Sequence, residues 1–155
     1  MTDAEGEEDE RWMRMALGEA ERAEEEGEVP TGCVIIDSAG NIIGRAHNRT
    51  EGLTDATAHA EMLALSKAFE ARGNWRLTGC SLYVTKEPCP MCAGAIVLAR
   101  PSRVIWGVSD MKRGGSSVFD IFRHPGMNHH PEFSAGVLEE PCREILQKFF
   151  KTRRI

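Results

Sequence analysis

The segment 80–108 constrains the fold of this 155-residue chain more than any other stretch. Residues 80–85 and 104–108 are short runs rich in β-branched and aromatic side chains, a composition that predicts two strands. Between them, residues 88–99 are mostly small or apolar and are followed by Pro101, which predicts a helix. Two strands joined by a helix pair in parallel, because the helix returns the chain to the same end of the sheet. We therefore expect a sheet that contains a parallel strand pair.

Other patterned segments extend this sheet and cover it. Apolar residues at helical spacing from Trp12 to Ala23 predict a first helix. Two strands at 33–37 and 41–47, separated by a short loop, predict an antiparallel pair. The remaining predicted elements are a helix, a shorter helix, an edge strand and a final helix, at residues 59–72, 116–123, 133–137 and 139–152. The expected fold is an α/β fold with a mixed sheet of about five strands and helices on both faces.

Two of the predicted helices begin with side chains that can bind a metal. His59 begins one of them, and Cys89 and Cys92, in a Cys-x-x-Cys spacing, begin the other. A helix N-terminus favours thiolates, and this spacing lets both cysteines reach one ion. Three nitrogen or sulfur ligands with an open fourth position are typical of catalytic zinc, whereas structural zinc usually has four ligands. The pattern predicts catalytic zinc, with structural zinc and a thiol redox pair as the alternatives.

Glu61 follows His59 by two residues and is close enough to hydrogen-bond a water on the metal. Zinc lowers the pKa of a bound water toward ~7, so a nearby carboxylate can accept its proton and return it to a leaving nitrogen. His-x-Glu together with Pro-Cys-x-x-Cys is the known signature of zinc nucleobase deaminases. The sequence thus predicts a general acid and base at Glu61.

The N-terminal segment differs in charge from the rest of the chain. Residues 1–28 carry 12 acidic and 3 basic side chains, whereas residues 29–155 carry 12 acidic and 16 basic ones. We expect a disordered acidic leader at 1–10 and a single zinc deaminase domain at 11–155. The leader lacks the features of a presequence, and no apolar run approaches the ~20 residues needed to cross a bilayer. We therefore expect a cytoplasmic protein without a membrane partner, in which the five cysteines form no disulfide framework.

Motifs along most of the folded part closely resemble those of bacterial tRNA-specific adenosine deaminases, in the zinc-dependent cytidine/deoxycytidylate deaminase superfamily. The matching motifs include Glu28-Val29-Pro30, Asn48-Arg49, Thr57-Ala58-His59-Ala60-Glu61, Glu87-Pro88-Cys89, His124-Pro125-Gly126-Met127-Asn128-His129 and Phe149-Phe150-Lys151. The last two are the most telling, because guanine deaminases share Pro-Cys-Pro-Met-Cys but not, as a rule, these motifs. The resemblance implies a three-layer α/β/α, cytidine-deaminase-like fold and a homodimer.

The resemblance also implies a reaction and the residues that perform it. The wobble-position adenosine of a tRNA anticodon loop would be hydrolysed to inosine by a zinc-activated water, with Glu61 as proton shuttle. One zinc ion per subunit would be held by His59, Cys89 and Cys92. The residues that would contact the RNA are Asn48, Asp110, Lys112, Phe149, Phe150, Arg153 and Arg154.

Several alternatives stay open on the residues alone. Phe149 lies on the apolar stripe of the last helix and is equally typical of a core residue, and Arg153 and Arg154 are also typical of a solvated helix end. For the whole protein, the alternatives are a free-base guanine deaminase and a non-catalytic, zinc-stabilised RNA-binding subunit. Glu61 disfavours the second, because a purely structural site has no use for a proton carrier. The effect of salt on substrate binding distinguishes a guanine deaminase from an enzyme that acts on RNA, because RNA binding weakens steeply with salt.

Overall fold

The computed structural model describes residues 3–153. Within them the chain forms the helices α1 Asp3–Glu25, α2 Ala60–Arg72, α3 Pro90–Ala99 and α4 Glu139–Arg153. The strands are β1 Gly32–Ile36, β2 Ile42–His47, β3 Ser81–Lys86, β4 Arg103–Val108 and β5 Glu132–Ala135. In this part of the chain no helix is both long and apolar enough to cross a membrane.

The five strands form one mixed sheet in the order β2-β1-β3-β4-β5. β1 is antiparallel to both β2 and β3, and β4 is parallel to both β3 and β5. The hairpin between β1 and β2 is closed by Asp37, whose Oδ1 accepts hydrogen bonds from the backbone N–H groups of Ala39 and Asn41 at 3.0 and 2.9 Å. The predicted mixed sheet and its parallel pair are both confirmed.

Helices cover both faces of the sheet and create two apolar cores. On one face, α1 and α4 pack through residues such as Met13 and Leu146 against Tyr83 and Ile105. On the other face, α2 and α3 pack through Ala64, Leu65, Ile96 and their neighbours against β1, β3 and β4. Alanines in α2 allow the helix to lie close to the strands, because a small side chain permits a short separation. The three-layer α/β/α arrangement is therefore confirmed.

The predicted short helix at 116–123 is absent from the structure, which has turns there. Asp120 has a φ of 51°, in the left-handed region that an α-helix does not use. The backbone N–H of Ile121 donates to the carbonyl of Gly115 at 2.9 Å, a longer span than the helical i to i−4 bond. The segment is apolar enough to suggest a helix, and Val118 and Asp120 make isolated i to i−4 bonds, but the N–H groups of Ser116 and Ser117 bond to the Glu87 carboxylate and the helical pattern does not continue past Asp120.

The predicted disordered leader spans 1–10, of which residues 1 and 2 lie outside the described residues, whereas residues 3–10 form the first turns of α1. The reason is Asp9, whose side chain is buried on the sheet. The Tyr83 hydroxyl donates to its Oδ1 at 2.7 Å, and the Arg103 guanidinium donates to both carboxylate oxygens at 3.1 and 3.0 Å. A buried carboxylate paired in this way attaches the start of α1 to β3 and β4.

Asp9→Asn should lower the free energy of unfolding by about 2–4 kcal/mol, because the Tyr83 hydroxyl loses its charged acceptor and the Arg103 guanidinium keeps the more exposed Glu5 carboxylate, 3.5 Å away, in place of a buried one. Urea denaturation followed by circular dichroism measures this loss. Glu10→Gln is the matched control, since Glu10 is exposed and pairs with Arg14 on the same helix surface. It should change stability by less than about 0.5 kcal/mol. Equal losses in the two variants would contradict the role given to Asp9.

Candidate metal centre

The metal-binding side chains stand at two helix starts on the same side of the sheet layer. His59 is the residue before α2 and Cys89 is the residue before α3, and both have extended backbones with ψ of 152° and 172°. Neither side chain makes a capping hydrogen bond to its own helix. Pro90 then begins α3, a position where its missing N–H costs nothing. Both side chains are thus left to meet one another instead of capping a helix.

The three predicted ligands converge in space. The Sγ atoms of Cys89 and Cys92 lie 3.6 and 3.5 Å from Nδ1 of His59. The ligand atoms of these residues all lie within 4.8 Å of one another, so they could hold one metal ion. Two sulfurs and one imidazole nitrogen form a donor set that suits zinc, and three protein ligands match a catalytic site with an open position. The predicted ligand set therefore fits zinc.

The electrostatics of the cluster favour a thiolate. The pKa of Cys89 is lowered to about 4, chiefly by a hydrogen bond from Cys92 and also by His59. The pKa of Cys92 is raised, because it donates that hydrogen bond and is buried. The pKa of His59 is raised by its hydrogen bond with Cys89. Cys89 is therefore the more easily deprotonated thiol of the pair, and the helix N-terminus favours its thiolate.

Glu61 lies in the first turn of α2 beside this cluster, and only 3% of its surface is exposed. Burial raises the pKa of its carboxyl to about 7, while the neighbouring His59 acts in the opposite direction. A carboxyl with a pKa near 7 can both accept and donate a proton at neutral pH. The structure thus places a buried carboxyl that could carry protons next to the predicted metal ligands.

Asn48 lies just after β2 and is buried. Its Oδ1 accepts a hydrogen bond of 2.7 Å from the backbone N–H of Ala60, the first residue of α2. This bond holds the side chain next to His59. The Nδ2 of Asn48 is a donor that a substrate base could use.

Asp110 and Lys112 lie in the loop directly after β4. The Oδ1 of Asp110 accepts hydrogen bonds of 3.0 Å from the backbone N–H groups of Lys112 and Arg113, and its Oδ2 pairs with Nζ of Lys86 at 3.4 Å. Asp110 therefore shapes the turn, whereas the side chain of Lys112 is exposed at its surface. Of the two predicted RNA contacts, Lys112 is the one that projects freely.

The predicted contacts in α4 divide into a core residue and surface residues. Only 8% of Phe149 is exposed, so its interpretation as a core residue holds, whereas 44% of Phe150 is exposed. The guanidinium of Arg153 lies over the Phe149 ring at 4.8 Å. Phe150 and its neighbours line a cavity of about 530 Å³ that also includes Val108, the last residue of β4. Arg154 lies outside the described residues.

Glu87 has no role predicted from the sequence, but in the structure its carboxylate is a hydrogen-bond acceptor for several groups of a neighbouring loop. It lies two residues before Cys89 and is 3% exposed. Its carboxylate accepts hydrogen bonds from the loop that contains Asp110. An acidic residue directly between a buried strand and the Pro-Cys pair is the signal that could have revealed it.

Similar proteins match this chain along almost its whole length. The family model of the cytidine and deoxycytidylate deaminase zinc-binding region matches residues 6–108. The tRNA-specific adenosine deaminase of Bacillus subtilis (strain 168) is 48% identical over 147 residues, which cover 94% of this chain and 91% of that protein. The tRNA-specific adenosine deaminase of Haemophilus influenzae is 47% identical over 147 residues, which cover 94% of this chain and 85% of that protein.

Solved structures agree with these sequence matches. A structure from studies of A-to-I editing by tRNA:A34 deaminases at the wobble position of transfer RNA has a TM-score of 0.84 and 44% identity. That match covers 88% of this chain and 99% of the other. The guanine deaminase of Bacillus subtilis is more distant, with a TM-score of 0.63 and 32% identity over 81% of this chain and 83% of the other.

Cys92→Ala should abolish stoichiometric zinc binding, because it removes one of the three ligands. Loss of an outer-shell partner alone costs about 10–100-fold in metal affinity, so loss of a ligand should cost at least about 100-fold. Plasma emission spectrometry of the dialysed protein measures the zinc content. Cys142→Ala removes another fully buried thiol outside the cluster and should retain zinc. Full zinc content in Cys92→Ala would refute this ligand assignment.

Proposed function

The chain belongs to the tRNA-specific adenosine deaminases of the cytidine and deoxycytidylate deaminase zinc-binding family, and from this membership we propose how its residues perform the reaction. The enzyme is a zinc-dependent hydrolase that converts the adenosine at the wobble position of a tRNA anticodon loop to inosine. The observation that carries the residue assignment is the buried Glu61 carboxyl beside the convergent His59, Cys89 and Cys92. The balanced reaction consumes one water and releases one ammonia for each adenosine.

The three ligands would hold Zn²⁺, which when bound lowers the pKa of a water and so supplies a nucleophile at neutral pH. Glu61 accepts the proton of the attacking water and delivers it to N1 of the purine. The same carboxyl then carries the second proton to the departing amino group, which leaves as ammonia. Its pKa of about 7 suits both transfers, because neither protonation state is strongly disfavoured at that pH.

Asn48 would orient the base within the site. Its Oδ1 bond to the Ala60 N–H keeps the side chain rigid, and its Nδ2 can donate to an acceptor of the purine. Wobble adenosine is unpaired in a free anticodon loop, so little energy is needed to move it out of the stack and into a pocket. A rigid donor beside the proton carrier then aligns C6 with the attacking water.

Lys112, Phe150 and Arg153 are the described surface residues that we assign to the anticodon stem-loop, and Arg154 is assigned with them from sequence. An exposed aromatic ring next to basic groups suits single-stranded RNA, since bases stack and phosphates require cations. Residues 29–155 carry more basic than acidic side chains, and this net positive charge favours binding to the phosphates of RNA. Phe149 and Asp110 act by supporting these neighbours, through the Phe149 ring beneath Arg153 and the turn beneath Lys112.

We place the enzyme in the cytoplasm, where its tRNA substrate is found. The cysteines of the chain are free thiols, including buried Cys33, Cys80 and Cys142. Free thiols and a thiolate metal site are typical of a reducing compartment.

The direct test incubates zinc-loaded protein with an anticodon stem-loop that carries adenosine at the wobble position. Mass spectrometry of the nuclease digest should show inosine, and raising the salt from 50 to 200 mM should weaken binding by about 10³-fold or more if several phosphates are contacted. Guanine is the comparison substrate, because a guanine deaminase is among the more distant proteins to which this chain is similar. Release of ammonia from guanine without inosine in the RNA would overturn the proposal.

Glu61→Gln should keep zinc and RNA binding but lower the rate of inosine formation by about 10²–10⁴-fold, because the amide cannot carry protons. Single-turnover kinetics with excess enzyme measure this rate. Glu70→Gln is the control, since Glu70 is an exposed carboxylate further along the same helix. Normal turnover in Glu61→Gln would remove Glu61 from the mechanism.

We also propose that the enzyme is a homodimer that associates through α2 and α3. These helices border a cavity of about 260 Å³ lined by apolar residues that include Trp75 and Leu98. The side chains of Trp75 and Leu98 are 51% and 68% exposed, so they present apolar surface to the solvent. Exposed apolar patches of this kind mark sites of association, and a second copy supplies an equally apolar partner.

Trp75→Ser combined with Leu98→Glu should convert a dimer into a monomer, because the pair of changes removes apolar area and introduces a charge. Size-exclusion chromatography with multi-angle light scattering measures the mass at micromolar concentration. Ile42→Thr serves as the control, since it removes exposed apolar surface at the far edge of the sheet. A wild-type protein with the mass of one chain would show that this proposal is wrong.

A further inference from the structure

The carboxylate of Glu87 is buried, and within residues 3–153 its hydrogen bonds all come from one loop. Its Oε1 accepts from the backbone N–H of Asp110 at 2.9 Å and from the Ser117 hydroxyl at 2.7 Å. Its Oε2 accepts from the backbone N–H groups of Ser116 and Ser117 at 3.0 and 2.7 Å. These partners lie at both ends of the segment 110–117. One side chain therefore closes the whole loop.

The backbone of the same loop lies directly on the start of α3. The N–H of Gly115 donates to the carbonyl of Pro88 at 2.8 Å. A Cβ atom at Gly114 would collide with the Glu87 carboxylate, and one at Gly115 would collide with Ala93. Glycine is therefore needed at both positions for the loop to approach so closely. The N–H of Glu87 itself donates to the carbonyl of Val108 at 2.9 Å, which attaches the strand before the loop as well.

These contacts connect the segment that carries the cysteine ligands to the loop that carries Lys112, a proposed RNA contact. Cys89 follows Glu87 by two residues, while Lys112 projects from the loop that the Glu87 carboxylate holds. Three of the four hydrogen bonds to this carboxylate come from backbone N–H groups, so the loop is positioned mainly through its backbone. A carboxylate suits this task because it only accepts hydrogen bonds, and each of its partners is a donor.

We propose that Glu87 is a positioning residue for the RNA substrate. Its buried carboxylate holds the loop 110–117 against the start of α3, so that the RNA-contacting surface and the metal ligands keep a constant separation. The inference rests on the proposed tRNA deaminase function, to which it adds a residue that holds the surface on which the anticodon loop binds. Glu87 acts through the loop and not on the reacting atoms.

Glu87→Gln tests this proposal with little change in shape. The amide nitrogen of glutamine is a donor, so at least one backbone N–H of Asp110, Ser116 or Ser117 loses its acceptor. We expect KM for the anticodon stem-loop to rise by about tenfold or more, the cost of one unpaired buried donor, while kcat stays within about threefold. Hydrogen exchange of peptides covering 110–117 should become at least about tenfold faster, with zinc content unchanged.

Two further variants separate positioning from general destabilisation. Asp9→Asn alters a buried carboxylate at the opposite end of β4, so it should lower stability but leave KM and loop exchange as in the wild type. Ser117→Ala removes only the hydroxyl donor to Glu87 and should raise KM by about two- to tenfold. This milder variant decides the question if Glu87→Gln does not fold.

Each outcome has one meaning. Faster loop exchange together with a raised KM supports the proposal. An unchanged KM and unchanged loop exchange in an active, zinc-loaded Glu87→Gln protein overturn it and leave the proposed function intact. Loss of zinc with unchanged loop exchange overturns it as well, because Glu87 would then serve only the ligands. A wild-type enzyme that forms no inosine removes the proposed function, and this inference falls with it.

Discussion

The parallel pairing of β3 and β4 is the constraint on which the rest of the site depends. The two strands can be parallel only if α3 carries the chain across the sheet, and α3 must therefore begin where β3 ends. Cys89 and Cys92 stand at that beginning, and the loop that follows β4 emerges at the same edge. His59 reaches this edge from α2, which packs beside α3 on the same face. Ligands from distant parts of the sequence thus meet because of the strand direction.

Three buried carboxylates show how the same chemical group can be used in different ways. Asp9 is neutralised by the Arg103 guanidinium and serves stability at the end of the sheet away from the metal ligands. Glu87 is solvated by backbone N–H groups and the Ser117 hydroxyl, and it orders a loop. Burial raises the pKa of Glu61 to about 7, and this makes it suitable for proton transfer. The environment, and not the residue type, decides which role a buried carboxylate has.

The sequence predicted elements well where the signal is local. The helix from 59 to 72 is observed as α2, and the left-handed Gly73 that follows it matches a glycine helix cap. It failed at 116–123, where an apolar segment of helical length is instead held in turns by contacts with the Glu87 carboxylate and the Pro88 carbonyl. It also failed at 3–10, because the partner that orders Asp9 is Arg103, 94 residues away in the chain.

By itself the sequence determined which side chains could bind the metal and carry protons, and at which helix starts they stand. His59, Glu61, Cys89 and Cys92 could be found because ligand spacing and helix starts are encoded within a few neighbouring residues. Only the tertiary structure decided that Glu61 is desolvated, that Phe149 lies inside while Phe150 is exposed, and that Glu87 holds the loop after β4. Burial and hydrogen bonding between distant segments depend on how the layers pack, and local sequence does not specify that packing.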